Sequence, residues 1–452
     1  KTVFPEKPEF PEKAGTTELQ ESLKTSAHPG PAAIPEPSEK SASPEISGRR
    51  EISGTGWLRT VRIETSRGRL ELTRGSFNIG IHASGNDGEQ SDALFSVLKG
   101  GLVSFRRSGT SRSGGERHQG GTAGRSGGEL FEKMPRPCFW RAPTSNDAGN
   151  FMAARHGFWK TADAYLIPRP DTLRIFTDAD SVLLRMAYAL PVPFLPAAPV
   201  ESTGCDCGNV NVDYRFFADG RLVMRMDWAP VPGLRLPPMP LFGFAFTMSA
   251  DYDRFLFYGN GPAENYVDRN RGARLGIHQS TVKENLSPYL VPQECGNRTG
   301  VRWAEVTDGA GRGLRFTAGA PVQESLYAAA SDPGANLPVP AAADAQAEEG
   351  AVTMPAAVPL TTPVIRDAQA EEGPARVPER PVMEFSALPC TAHELENASH
   401  PCELPPAHYT NVRCALAQMG IGGDDSWGAQ TLPQYCLPAD RPLHFEVTVE
   451  AV

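Results

Sequence analysis

Residues 212–228 read VDYRFFADGRLVMRMDW, two alternating runs of polar and apolar residues on either side of Asp219-Gly220. A period of two sends every second side chain to one face, and Asp-Gly favours a tight type I′ turn, so the stretch predicts an antiparallel hairpin. A hairpin cannot bury its apolar face alone, which commits the chain to sheets packed in layers. The alternation recurs in WLRTVRIET (57–65), RLELTRGSFNIGIHA (69–83), FGFAFTMS (242–249), GVRWAEVTD (300–308), GLRFTAG (313–319) and LHFEVTVEAV (443–452). GNFMAARHGFWKTA (149–162) is the one stretch with a helical period. With 44 glycines and 42 prolines in 452 residues, turns and loops are abundant, which argues against a helical bundle. The expectation is an all-β chain, an antiparallel sandwich.

Residues 1–55 are rich in Pro, Glu, Ser and Lys and read as a disordered or loosely docked leader. Two insertions interrupt the remainder, 56–452. Residues 106–128, RRSGTSRSGGERHQGGTAGRSGG, lack the aromatics that would stack on bases, so a flexible insertion is preferred over an RNA-contacting arm. Residues 328–382 are rich in Ala, Pro and Glu and repeat DAQAEEG at 344–350 and 367–373. Neither copy has an apolar face, so this is a duplicated disordered loop rather than a solenoid. A net charge of −9 gives no reason to expect nucleic acid or an anionic membrane as partner. No apolar run is long enough for a membrane span, and eight cysteines in so long a chain are not a disulfide scaffold. The opening KTVFPEKPEF has neither an initiator Met nor a signal-type run, and is expected to begin a fragment or a processed chain. A cytoplasmic location is expected.

Chemistry concentrates in loops. In AQMGIGGDDSWGAQ (417–430), glycines hold Trp427 beside Asp424 and Asp425. Trp427 suits either a core or a ligand platform. Adjacent carboxylates do not straddle a sugar ring as a retaining pair must, so the two aspartates are expected to make a turn around Gly422 and Gly423. Cys390, His393, His400 and Cys402 are good zinc-ligand types, but C-x2-H-x6-H-x-C fits no zinc knuckle and ELENA between the histidines reads as a helical turn. In FWRAPTSNDAGN (139–150), Arg141, Asn146, Asp147 and Gly149 suit either a carbonyl-bonded loop or one that touches a polyhydroxylated ligand. In FYGNGPAENYVDRNRGARLGIH (257–278), Glu264, Tyr266, Asp268 and Arg269 predict an internal ion-pair network. SPYLVPQECGNRTGVRW (287–303) continues the style.

Taken in order, FWRAPTSND, GNGPAENYVDR, SPYLVPQECGNR and QMGIGGDDSWG resemble the C-terminal domain of the β-galactosidases of glycoside hydrolase family 2, the small chain where that enzyme is split in two. The resemblance runs from about 57 to 452, apart from the insertions. It implies a large antiparallel β super-sandwich that follows a catalytic TIM barrel. The barrel carries both glutamates and the main Mg²⁺ and Na⁺ sites, and nothing here looks like the glutamate motifs or a barrel. This chain is therefore expected to hold no catalytic residue and no metal, and to be inactive alone. By the resemblance, Trp427 stacks on the non-galactose sugar or acceptor, its indole face suiting the C–H face of a pyranose. Gly149 matches the start of a loop that opens and closes over substrate. Asp424, Asp425, Arg141, Asn146 and Asp147 complete the implied substrate-binding set. Ser145 stands where the family more often has Asp, and the family shares an ELENA–H segment like 394–400. The implied function is hydrolysis of terminal β-D-galactosides such as lactose, with the barrel part or large subunit as partner in an oligomer. The competing expectation is a non-catalytic carbohydrate-binding or assembly scaffold.

Overall fold

Among the residues that the computed structural model describes (50–52, 59–108, 128–191, 206–319, 381–425 and 428–452), the chain forms three antiparallel sheets. After β1 (Arg50–Glu51), a meander runs through β2 (Arg59–Thr65), β3 (Gly68–Arg74), β4 (Asn78–Gly85), β5 (Gln90–Ser96) and β6 (Gly101–Ser108). β7 (Lys133–Cys138) leads to three short helices, α1 (Ser145–Gly149), α2 (Met152–Arg155) and α3 (Gly157–Ala164). Four long strands follow: β8 (Ile167–Thr177), β9 (Ser181–Pro191), β10 (Asp206–Phe217) and β11 (Leu222–Pro230). Next come β12 (Leu241–Ser249), β13 (Arg254–Gly261), β14 (Arg274–Thr281), β15 (Arg298–Val301), β16 (Trp303–Thr307) and β17 (Gly313–Ala318). The last elements are β18 (Met383–Leu388), α4 (Ala392–Asn397), β19 (Tyr409–Gln418) and β20 (Leu443–Ala451).

β2 to β6 make one five-stranded sheet. A ten-stranded sheet has the order β1-β8-β9-β10-β11-β20-β17-β16-β13-β14, and a third, here the inner sheet, the order β15-β18-β19-β12-β7. The expected all-β architecture is therefore present. β1 lies inside the stretch read as a leader and pairs with β8, and 106–108 belong to β6 rather than to an insertion. The rest of 1–55, 106–128 and 328–382 falls almost wholly outside the described residues.

The hairpin at 212–228 forms as read, with Val212 opposite Met226 and Phe216 opposite Leu222. Its turn differs. Phe217 N–H bonds Arg221 O at 3.0 Å, Gly220 N–H bonds Phe217 O at 3.1 Å, and Gly220 alone of the loop has positive φ, 83°. That is a three-residue loop with a glycine bulge, which relieves Asp219 of the left-handed backbone that a type I′ turn would demand.

β12 is where the layers meet, since its burial is continuous rather than alternating. Phe246 lies 4.9 Å from Phe316 of β17, and Phe244 lies 6.1 Å from Phe445 of β20. Phe385 of β18 lies 6.0 Å from Phe255 of β13. These rings pack the inner sheet on the ten-stranded one. The meander reaches the same core through Phe95, edge-on to Tyr214 at 5.2 Å, and through Phe131, 5.7 Å from both Phe105 and Phe246. On α3, Trp159 meets Trp228 at 5.8 Å and donates to Pro237 O at 2.8 Å, so a buried indole keeps its hydrogen bond.

Because Phe246 is fully buried between Phe131 and Phe316, rings from two other parts of the core, Phe246→Ala should lower unfolding stability by about 3–5 kcal/mol. Phe77→Ala, at a residue 60 % exposed, should change it by no more than about 0.5 kcal/mol. Guanidinium chloride midpoints compare the two, and equal midpoints would remove Phe246 from the centre of the core.

Candidate functional site

The second face of the inner sheet is polar and still buried. Glu384 and Ser386 of β18 and Asn411 and Arg413 of β19 all have little exposure, and Ser386 stands opposite Arg413 in the register. Burial of charge is tolerable only when each group is paired and hydrogen-bonded. Loops supply the partners. Arg413 makes a two-pronged pair with Glu294 and bonds Ser386 Oγ at 3.0 Å. Asn297 donates to Glu384 at 2.8 Å and to Asn265 O at 3.0 Å, while Asn285 donates to Ala387 O at 2.9 Å. Glu264 accepts from Gly296 N–H, Ser287, Tyr289 and Arg269. Of the ion-pair network expected in 257–278, the Glu264–Arg269 pair is present, its Glu264 end reaching into 287–297, while Asp268 bonds the Gly422 N–H instead.

Burial pushes the Glu384 carboxyl up to about 8, against the Asn297 bond and the Arg413 charge, which pull it down. Neutral Glu384 leaves Arg413 and Glu294 as a balanced pair. A second carboxylate charge would have no cation of its own.

Upon this layer sit the loops that the sequence marked. Arg141 is completely buried; it donates to Asp147 at 2.5 and 3.2 Å, to Ala142 O at 3.1 Å and to Gly420 O at 3.1 Å. Asp147 also accepts from Thr144 N–H at 2.8 Å and its hydroxyl at 2.9 Å, closing a capping box on α1. One guanidinium therefore fastens α1 to the glycine loop. Asn146 donates to Ile421 O at 3.5 Å and Asn150 to Ala429 O at 3.3 Å. Asp268 accepts Gly422 N–H at 2.9 Å, and Ser145 N–H reaches Gln293 at 2.9 Å. All four motif stretches are joined here.

The glycines are required by the closeness of this fit. Gly428 has φ 89°, and a Cβ there would lie 2.6 Å from Gly149 O. Gly423 has φ 95°, and its Cβ would lie 2.5 Å from the Asn146 amide. Any other residue would strain the backbone at either position, and at Gly428 it would also press on the Gly149 carbonyl at the end of α1.

Of the candidate residues, Asn146 is half-buried, and Gly149, Asp424 and Asp425 are exposed at the rim. Asp425 accepts Ala429 N–H at 3.0 Å, so it does make a turn, but Gly422 N–H goes to Asp268 instead. Arg141 and Asp147 expose 0 % and 1 % of their side chains. They hold loop to loop and offer no surface to a ligand. Trp427 lies outside the described residues. Phe151 went unmarked; it is 74 % exposed with φ 58°, directly after the Asn150 that packs near Gly428. A bulky residue in that left-handed region costs on the order of 1–3 kcal/mol. No local pattern announces it.

The zinc-type residues are used otherwise. His393 bonds Asp163 at 3.3 Å, His400 bonds Glu403 at 3.1 Å, Cys390 is buried and Cys402 exposed. α4 covers 392–397, where a helical turn was read.

The family model for the beta-galactosidase small chain matches residues 87–449. A beta-galactosidase of Halalkalibacterium halodurans is 32 % identical over 86 % of this chain and 29 % of its own length. One from Priestia megaterium is 32 % identical over 69 % of this chain and 23 % of its own. A beta-galactosidase small subunit of Latilactobacillus sakei is 27 % identical over 72 % of this chain and 86 % of its own. The chain thus spans under a third of the length of the first two.

Glu384 gives the site a pH signature. A carboxyl raised in the folded protein from 4.5 to about 8 contributes stability that is present below the lower value and is lost as pH rises through the higher. Unfolding free energy should fall across that window with a slope approaching about 1.4 kcal/mol per pH unit. Glu384→Gln should flatten the profile in urea titrations from pH 5 to 9. Parallel profiles for the two proteins would mean that Glu384 is already ionised.

Proposed function

The chain belongs to the β-galactosidase small-chain family, and from that premise we propose that it is the C-terminal part or small subunit of a β-galactosidase that hydrolyses terminal β-D-galactosides such as lactose. The observation that carries this reading is the joining of 139–150, 264–269, 287–297 and 420–425 on one face of the inner sheet, four stretches whose motifs include the one that carries Trp427 in sequence. The residue types are those of a wall: buried pairs below, glycines and an exposed aromatic above.

In this reading the chemistry proceeds by double displacement in the barrel part. One glutamate attacks the anomeric carbon as another protonates the departing glycosidic oxygen; the second then deprotonates water, which cleaves the glycosyl-enzyme bond. The relatives' remaining length leaves room for such a part. Here the chain's own residues act on the aglycone side. Trp427 stacks against the leaving sugar or acceptor, and Phe151, exposed next to the Asn150 that bonds Ala429 O, offers a further apolar surface. Asn146, Asp424 and Asp425 supply rim hydrogen bonds. Arg141 and Asp147 position α1 and the glycine loop, and Gly149 begins the segment that closes over the bound sugar.

Mg²⁺ and Na⁺ belong, in this reading, to the assembled site. The described residues bring no three His, Cys, Asp or Glu side chains together as a metal would need, so no step of this chain is assigned to a metal. Among those residues, no helix is long and apolar enough to cross a membrane.

The test is nitrophenyl-β-galactoside hydrolysis by the chain alone and after mixing with the barrel polypeptide. Activity should appear only on mixing. In the assembled enzyme, Trp427→Ala should weaken glucose or acceptor binding about two- to twelvefold, in line with the about 0.5–1.5 kcal/mol of an aromatic contact, with a smaller effect on galactose inhibition. Turnover by the chain alone, or equal losses for galactose and acceptor, would refute the assignment.

A further inference from the structure

β14 closes one end of the ten-stranded sheet. It pairs with β13 from Arg254 opposite Thr281 to Gly261 opposite Arg274, and no described strand pairs with its other side. An open edge presents a row of backbone N–H and C=O groups to any further strand, and folded proteins usually blunt it with lysine, proline or a covering element. RLGIHQST contains neither residue. Leu275 and Ile277 project from one face and are 49 % and 66 % exposed. The apolar surface does not stop with them. Ile277 stands opposite Tyr258, and Tyr258 opposite Trp303, so one row crosses β14, β13 and β16 to reach the edge. The guanidinium groups of Arg302 and Arg315 lie 5.5 and 4.5 Å from the centres of the Tyr258 and Trp303 rings. Rings covered in this way do not suit a sugar. Tyr, Trp and Arg grouped around an aliphatic pair are instead what the centres of protein interfaces favour.

We propose that two copies of this chain join edge to edge through β14, antiparallel about a two-fold axis, so that their ten-stranded sheets become continuous. The strand is its own complement. Directly opposed residues of antiparallel strands lie on the same face, so only registers that match odd with odd positions are allowed. Centring the axis on Gly276 sets Leu275 of each copy against Ile277 of the other, which buries both apolar pairs together at the middle of the joint. Gly276 then meets Gly276 on the axis, where the absence of side chains lets the backbones approach. A register centred on Ile277 would put Leu275 against Gln279 and leave apolar surface outside. An isologous contact of this kind needs no second patch, since one strand satisfies both partners. The strand follows directly on the 264–269 loop of the candidate site, but the side chains proposed to meet, Leu275 and Ile277, take no part in that loop's hydrogen bonds to Gly296 and Gly422.

Sedimentation equilibrium on the full chain tests the proposal, with the double variant Leu275→Thr/Ile277→Thr, whose residues keep strand propensity, and with Leu275→Lys/Ile277→Lys. Circular dichroism checks that each is folded. The wild type should sediment as a dimer and the lysine variant as a monomer, with association at least a hundredfold weaker and the threonine variant between them. Amide hydrogen exchange on the wild type supplies a readout that needs no variant: protection of 275–279 should rise with protein concentration. A monomeric wild type, a lysine variant that still dimerises, or concentration-independent protection would overturn the proposal. So would loss of binding to the barrel polypeptide by variants of a monomeric wild type, which would give the edge to that partner. None of these readouts depends on galactosidase activity, so the two readings fail separately.

Discussion

A sheet covered on both faces must satisfy every charge it carries on either one. Here the inner sheet presents phenylalanines to one side and Glu384, Ser386 and Arg413 to the other, and both sides are buried. Removing one member of such a buried pair leaves an uncompensated charge, at a cost of about 3–5 kcal/mol. The loop that bears Glu294 is therefore bound to β19 by more than its own contacts, because Arg413 has no exposed position to which it could turn. The covering loops are as much a part of the fold as the strands.

The glycine loop inherits its position from that layer. It leaves β19 at Gln418, whose side chain reaches Glu294 at 3.4 Å, and two residues later Gly420 O accepts from Arg141 and from Thr431 at 2.9 Å. The base of the loop is thereby held from both sides before its tip begins. Such an arrangement separates two demands: a fixed base aims the loop, and glycine-rich backbone lets the tip come close to α1. Neither demand would be met by a longer side chain at Gly423 or Gly428, where the neighbouring atoms already leave no room for a Cβ.

What could be read from the sequence follows from which forces are local. The hairpin at 212–228 and the strand at 313–319 were legible because alternation is a property of neighbours, while 242–249 was read as a strand without its continuous burial being foreseen. The turn at Ala218–Gly220 was misread in type, since Asp-Gly fits more than one loop length. The helical stretch at 149–162 was seen, but Phe151 was not, because a left-handed backbone at an aromatic leaves no compositional trace. Arg141 was left between loop bonding and ligand contact and joined the substrate-binding set only through the resemblance, whereas the structure buries it against Asp147. Glu384 and Arg413 were invisible for a sharper reason. In MEFSAL and NVRCALAQ the charged residue occupies the position that faces water in a half-buried strand, so the pattern is the same whether solvent or a loop lies above it. Trp427 was marked by its motif, and it lies outside the described residues.

A wall that completes another part's site has to meet that part without collapsing onto itself. An exposed aromatic such as Phe151 is costly on an isolated surface, and doubly so with φ in the left-handed region. Exposed apolar groups and strained backbone are commonly gathered where binding occurs, because the surrounding structure must over-determine them for the strain to persist. α1 and α2 supply that constraint: Asn150 N–H closes onto Asn146 O at 3.0 Å, and Arg155 returns to Asn150 O at 3.0 Å and to Gln430 at 2.9 Å. The same arginine thus holds Phe151 from behind and reaches across to the glycine loop. A shift of either loop is passed to the other through bonds of about 3 Å.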